Sequence, residues 1–167
     1  MKDMSADLTD LTLRPLLIDD ADTVAEIFFD AVLNGTSRFY SQDEREAWAG
    51  PHPDPKRWRG RIGSAVGLMA DWQGKAAGFM TLMTPGLIDL AFVRPALAGR
   101  GIGAALLGQL EPIARATGAH NLETQASKAA EPFFARHGFE TLEPVTSFRR
   151  GVTLHALHMR KRLRPGV

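Results

Sequence analysis

The spacing of apolar positions changes its period twice along the chain. Residues 19–35, DDADTVAEIFFDAVLNG, place Val24, Ile27, Phe28, Ala31 and Val32 three and four apart, the stripe of one helix face. Asp19 or Asp20 can cap that helix and Gly35 can stop it. Before it, LTLRPL at 11–16 predicts a short strand closed by Pro15. After it, Ser41 followed by Glu44 has the capping-box spacing, which predicts a short second helix in SQDEREAW. GPHPDP breaks that helix, and KRWRGRI can add another helical turn. From residue 65 the period becomes that of strands. AVGLMADW and AAGFMTLMT flank QGK as the arms of a hairpin, Pro85–Gly86 marks a second turn, and LIDLAFV at 87–93 predicts a third strand that Pro95 ends.

The helical period then returns. Ile102, Leu106, Leu110 and Ile113 share one face, and Gly118 stops the helix. Pro112 predicts a kink, because it cannot donate to the carbonyl of Gly108. HNLETQA is a further strand, and SKAAEPFFARH a shorter helix with Ser127 at its N-cap and Gly138 as its stop. VTSFRR and VTLHALHMRKRL close the chain as a hairpin, which could also pair two subunits as a homodimer. Strands meet strands early and alternate with helices later. This order predicts an α/β (α+β) fold, a mixed and mostly antiparallel sheet of about seven strands flanked by about four helices. The chain of 167 residues shows no repeat or linker and is expected to form one domain over 1–167.

Composition narrows the chemistry. A formal net charge of +1 gives no global field for nucleic acid or an acidic membrane. The absence of cysteine excludes disulfides, thiolate nucleophiles and cysteine metal sites. The opening MKDMSADLTD is polar and no apolar run approaches the ~20 residues of a membrane helix, so a cytoplasmic protein is expected.

The stretch AFVRPALAGRGIGAALL carries the strongest signal. A strand ends near Pro95 and a helix begins near Gly101, with glycines at 99, 101 and 103. The first amides of a helix have no partner inside it and sit at the positive end of its dipole. Glycines there let an anion approach the backbone, and Arg100 adds a charge beside it. The competing explanation is a tight turn packed against neighbouring backbone. Ala104 and Ala105 stand where a Walker A loop needs Lys and Ser/Thr, and the glycines do not follow a first strand as a Rossmann fingerprint requires.

Here the chain resembles a known family. LAFVRPALAGRGIGAALL is similar to motif A of the GCN5-related N-acetyltransferases (GNAT), V-x-P followed by Q/R-x-x-G-x-G/A, and AAEPFFARHGF is similar to motif B. YSQDEREAWA and RRGVTLHALHM most resemble a YafP-like bacterial subgroup. The resemblance implies a GNAT fold, with a V-shaped splay between the strands at 87–93 and 119–126 that receives acetyl-CoA as cosubstrate. It implies that the pantetheine arm pairs with Ala91, Phe92 and Val93, and that the pyrophosphate rests on Ala98, Gly99, Arg100, Gly101, Ile102, Gly103 and Ala104. A backbone amide near Phe92 would stabilise the oxyanion while an amine, on a small molecule or a peptide, attacks the thioester directly. Two departures stand out. Ala98 replaces the family's Gln or Arg, and Phe134 occupies the position of the usual general-acid tyrosine beside the cofactor. The second departure keeps a non-catalytic acyl-CoA sensor as the alternative, and the glycine loop alone would also suit a nucleotide-binding regulatory domain.

Candidate catalytic groups are few. Asp89 lies on the strand before motif A, where alternation would set it on one face with Ala91 and Val93, and could act as base. Tyr40, the sole tyrosine, could donate a proton or line the acceptor pocket. Ser127 could touch the pantetheine or relay a proton. His155 and His158 are three apart on a strand and face opposite sides, so no metal site is expected. His120 should be exposed, and His52 lies among prolines. The basic run KRWRGR is expected to be a solvated helix face, and Trp48, Trp58 and Trp72 to be core or pocket lining.

Overall fold

The structure, a computed structural model, describes residues 10–164; the first nine and last three residues lie outside it. The chain runs β1 (Leu11–Pro15), α1 (Ala21–Gly35), α2 (Gln42–Ala49), α3 (Pro55–Gly63), β2 (Val66–Trp72), β3 (Lys75–Met83), β4 (Leu87–Val93), α4 (Ile102–Ala116), β5 (Asn121–Ser127), α5 (Glu131–Arg136), β6 (Glu140–Arg149) and β7 (Val152–Arg162). The seven strands form one sheet in the order β1-β2-β3-β4-β5-β7-β6, antiparallel except for β4 and β5. There are five α-helices among the described residues rather than about four, because KRWRGRI belongs to a full helix of nine residues. Asp54 caps α3 through Lys56 N–H, and Pro55 at its start supplies the preset φ that its first turn needs.

Local signals account for most element ends. Ser41 and Glu44 form both halves of the capping box on α2. Gln73–Gly74 and Arg150–Gly151 turn the β2–β3 and β6–β7 hairpins with positive φ at both positions, the twist that suits two-residue loops. Asp20 precedes α1 but bonds no helix amide; its carboxylate accepts from Arg14 and from Leu17 N–H, tying β1 to the start of α1. α4 continues as helix through Pro112 to Ala116.

The sheet has an apolar cluster on each face. One joins Met80, Leu82, Ile102, Leu106, Leu110 and Phe134 beneath α4 and α5. The other joins Val24, Ile27, Phe28, Trp58, Phe79 and Leu90 beneath α1 and α3. Trp72 and Trp58 are core, one in each cluster. β6 is an edge strand that is exposed along nearly all its length.

Candidate active site

The site originates where the sheet splits. β4 and β5 pair only at Leu87–Glu123 and Ile88–Thr124. Beyond that point β4 stays with β3 as far as Val93, while β5 follows β7 to Ser127. The V-shaped splay therefore lies where the sequence resemblance placed it. A bulge in β4 sits at the fork: Thr81 faces Leu90 but Leu82 faces Ile88, leaving Asp89 as the extra residue. Bulges bend a strand and increase its twist. Two buried threonines satisfy the backbone groups that the distortion orphans. Thr81 Oγ1 accepts from Leu90 N–H at 3.1 Å, and Thr124 Oγ1 donates to the Ile88 carbonyl at 3.0 Å.

The opening forms a cleft of about 470 Å³ lined by Ala91, Phe92, Val93, Ala98, Gly99, Gly101, Ile102, Gly103, Ala104 and Phe134, among others. Arg94 N–H donates to the Ala77 carbonyl of β3. Amides alternate sides along an antiparallel ladder, so Phe92 N–H also faces β3 and the amides of Ala91 and Val93 face the opening. The amides exposed on this edge of β4 therefore belong to the neighbours of Phe92, not to Phe92 itself.

Gly99 and Gly101 have φ of 77° and 83°, in the left-handed region. Gly101 caps α4 with no side-chain hydrogen bond, and the first helical bond is Ala105 N–H to Gly101 O at 3.0 Å. The amides of Ile102, Gly103 and Ala104 thus lack an intrahelical acceptor. A Cβ on Gly99 or Gly101 would have no protein atom within 4 Å. These two glycines are not filling a tight turn; they leave the backbone bare toward the cleft. Gly103 differs, because a Cβ there would lie 3.1 Å from the Phe133 ring, so its smallness serves α4–α5 packing. Arg100 also departs from expectation. Its guanidinium stacks 5.5 Å over the Trp72 ring, and the side chain does not line the cleft. Phe134 is 1% exposed, held between Phe133 and Phe139, with centroids 5.1 and 4.9 Å away.

A second cavity of about 290 Å³ adjoins the cleft, and Trp48, Phe92 and Ser127 line both. Asp89 lines this second cavity with Leu90 and Phe92, whereas Ala91 and Val93 pack against the α4 cluster. The strict alternation expected for residues 89, 91 and 93 fails because the bulge resets it. Asp89 is the only carboxylate among the lining residues, and its two oxygens accept from Arg61 Nη2 at 3.0 Å and Nε at 3.2 Å.

Tyr40 is 4% exposed and stands in the wall of the same cavity. Its hydroxyl donates to the His155 carbonyl at 2.5 Å and accepts from Lys128 N–H at 3.0 Å. Burial pushes its pKa up, only partly offset by the Lys128 amide, so it stays protonated at neutral pH. Ser127 does not cap α5, which starts at Glu131 with Ala130 as N-cap. It ends β5, and its Oγ accepts from Ala130 N–H at 3.1 Å across the intervening turn. Its position at the junction keeps it in both linings.

The basic helix is the largest revision. Arg57 and Arg61, one turn apart on α3, line the second cavity instead of a solvated face. Among the described residues no group of three or more His, Cys, Asp or Glu could hold a metal ion. His158 instead lies between Glu123 and Glu143, at 3.5 and 3.7 Å. No described helix is long and apolar enough to cross a membrane.

Known proteins share this architecture. The chain is 29% identical over 153 residues to YafP of Escherichia coli (strain K12), described as an uncharacterized N-acetyltransferase, covering 92% of this chain and 97% of that one. It superposes with a TM-score of 0.86 on a GCN5-related N-acetyltransferase (aminotransferase, class-II) from Rhodopseudomonas palustris, 36% identical, over 91% of this chain and 95% of that one. The PaiA N-acetyltransferase from Thermoplasma acidophilum, solved in complex with coenzyme A, matches in fold at 18% identity and a TM-score of 0.74, over 92% and 99% of the two chains. The model of the acetyltransferase (GNAT) domain matches residues 36–163, a span that holds the β4–β5 split and the glycine loop, and the chain belongs to that family.

Proposed function

We propose that this enzyme binds acetyl-CoA in the cleft between β4 and β5 and transfers its acetyl group directly to an amine held in the adjoining cavity. The observation that carries the reading is the junction itself: one cleft ends on bare helix amides, the other cavity holds a carboxylate, and Trp48, Phe92 and Ser127 border both. The coenzyme A complex of the Thermoplasma relative supports the ligand. Family membership supports a transferase over a silent acyl-CoA sensor.

The cleft fits its cosubstrate. The Val93 amide offers an unpaired strand-edge donor to the pantetheine arm, and the amides of Ile102 to Ala104 offer donors to the pyrophosphate. With Ala98 in place of Gln or Arg and Arg100 turned to Trp72, the backbone carries that contact. The Ala91 amide, at the mouth of the split, faces the oxygen on which charge develops. Asp89 receives the proton that an ammonium must lose before attack, and Arg61 fixes its orientation. Acetyl-CoA supplies a thioester whose thiol leaves near neutral pH, its pKa about 8.5 by analogy with free cysteine. Phe134 is thereby tolerated where a tyrosine is usual. Ser127 presents a hydroxyl at the junction to relay a proton to the sulfur, and Tyr40 positions the wall.

A thiol-release assay over an amine panel tests this directly. The chain has no cysteine, so a thiol reagent reports coenzyme A alone. Release that depends on an amine is expected; binding of acetyl-CoA with no release from any amine would return the sensor, and tighter binding of ATP would return the nucleotide reading. Tyr40→Phe separates positioning from proton donation. The variant leaves the His155 carbonyl and the Lys128 amide unpaired, so unfolding free energy should fall by about 1–3 kcal/mol in a urea titration. A loss in kcat of about 10²-fold or more at unchanged stability would instead make Tyr40 the acid.

A further inference from the structure

The charge around the second cavity is lopsided. Arg57, Arg61 and Arg149 line it against the single carboxylate of Asp89, and Arg61 occupies both oxygens of that carboxylate. Arg57 and Arg149 form no ion pair among the described residues. Arg57 is held in place with care for its plane: the guanidinium lies 4.8 Å over Phe28 and 4.6 Å over Trp58, and Nη1 donates to the Trp48 carbonyl at 3.2 Å. Burial, with repulsion from Arg149, Arg61 and Arg150, depresses its pKa to about 10, so it is charged at neutral pH but at a cost. Two unpaired guanidiniums facing one recess repel each other unless an anion enters. The planar fork of arginine matches a carboxylate or phosphorus oxyanion in two-point contact.

We propose that the acceptor is a small amine that also bears an oxyanion, a carboxylate or a phosphorus oxyacid, gripped by Arg57 and Arg149 while its nitrogen lies near Asp89 and the Phe92–Ser127 junction. The inference rests on this cavity being the acceptor site. Its volume, about 290 Å³, is that of a small-ligand pocket. A polyamine or a basic protein segment would bring further positive charge against the same arginines.

The test uses matched acceptors that differ only in the anion: phenylalanine against phenethylamine, and 2-aminoethylphosphonate against ethylamine. Thiol release gives kcat/KM for each, and calorimetry on the coenzyme A complex gives binding without turnover. The anionic member of a pair should be favoured by about tenfold or more, the worth of one charge-assisted hydrogen bond. Arg149→Gln should reduce that ratio by about tenfold in both readouts. Arg149 is exposed at the end of edge strand β6, so this variant folds even where Arg57→Gln, which unstacks two aromatics, does not. Equal or better use of the amines that lack the anion, or an unchanged ratio in Arg149→Gln, overturns the proposal while leaving transfer intact. Failure to bind acetyl-CoA or to release thiol removes the transferase reading instead; calorimetry of the same acceptor pairs on the cofactor-free protein still decides the anion preference.

Discussion

Gly101→Val should weaken coenzyme A binding by at least about a hundredfold, the loss of two charge-assisted hydrogen bonds at roughly 1.5 kcal/mol each. The argument depends on where the new atoms go. A Cβ at Gly101 meets no protein atom within 4 Å, so the valine displaces nothing of the fold. Gly101 lines the cleft at the start of α4, so the added side chain competes with a ligand for the amides of Ile102 to Ala104. The protein alone bears only backbone strain, because Gly101 has φ of 83°, which costs an L-residue about 1–2 kcal/mol. Gly118→Val supplies the control. Gly118 has φ of 95°, also has nothing within 4 Å of a Cβ, and lies just past the other end of α4. Both variants should lose similar stability in a urea titration, but only Gly101→Val should lose coenzyme A in calorimetry. Equal affinities for the two would mean that the pyrophosphate lies elsewhere.

The contrast between these glycines shows what the chain displays and what it conceals. A glycine that needs positive φ at a helix start can be read from sequence, since the reason is local. The caps of α2, the two-residue hairpin turns and the order of elements were legible for the same reason: each depends on residues a few positions apart. The roles of Gly103 and Asp89 were not legible. Gly103 answers to Phe133, thirty positions on, and only packing brings α5 against α4. Asp89 changes face because β4 carries one residue more than β3 between the same pairs, and a bulge depends on two strands at once. Thr81 and Thr124 gave one faint signal, as polar residues within buried strands. The cavity-lining role of Arg57 and Arg61 is not legible either, because a basic helix face is solvated or pocket-lining according to what stands opposite, and here β4, β6 and β7 stand opposite. Arg100 was drawn away by Trp72, which a strand far back in the chain supplies.

Gly86→Ala should cause the largest stability loss of any glycine-to-alanine change among the described residues. Gly86 is buried where the chain enters β4, beside the only two residues through which β4 and β5 pair. Its Cβ would collide with the Asn121 carbonyl oxygen and lie 3.3 Å from Ala119 Cβ. The first neighbour is backbone and cannot rotate aside, and Gly86 O also accepts from Glu123 N–H at 2.8 Å, which holds the two segments together. Relief therefore requires β4 and β5 to move apart at the fork itself. Overpacking of this kind costs about 3 kcal/mol. The movement has a second consequence, because the angle of the splay sets the width of the cleft downstream. Acetyl-CoA affinity should fall together with stability, although Gly86 does not line the cleft. Urea unfolding paired with a cofactor titration checks both. A variant as stable as the parent would show that the β4–β5 junction is looser than its geometry, and a destabilised variant with full affinity would show that the splay is set by the Asp89 bulge alone.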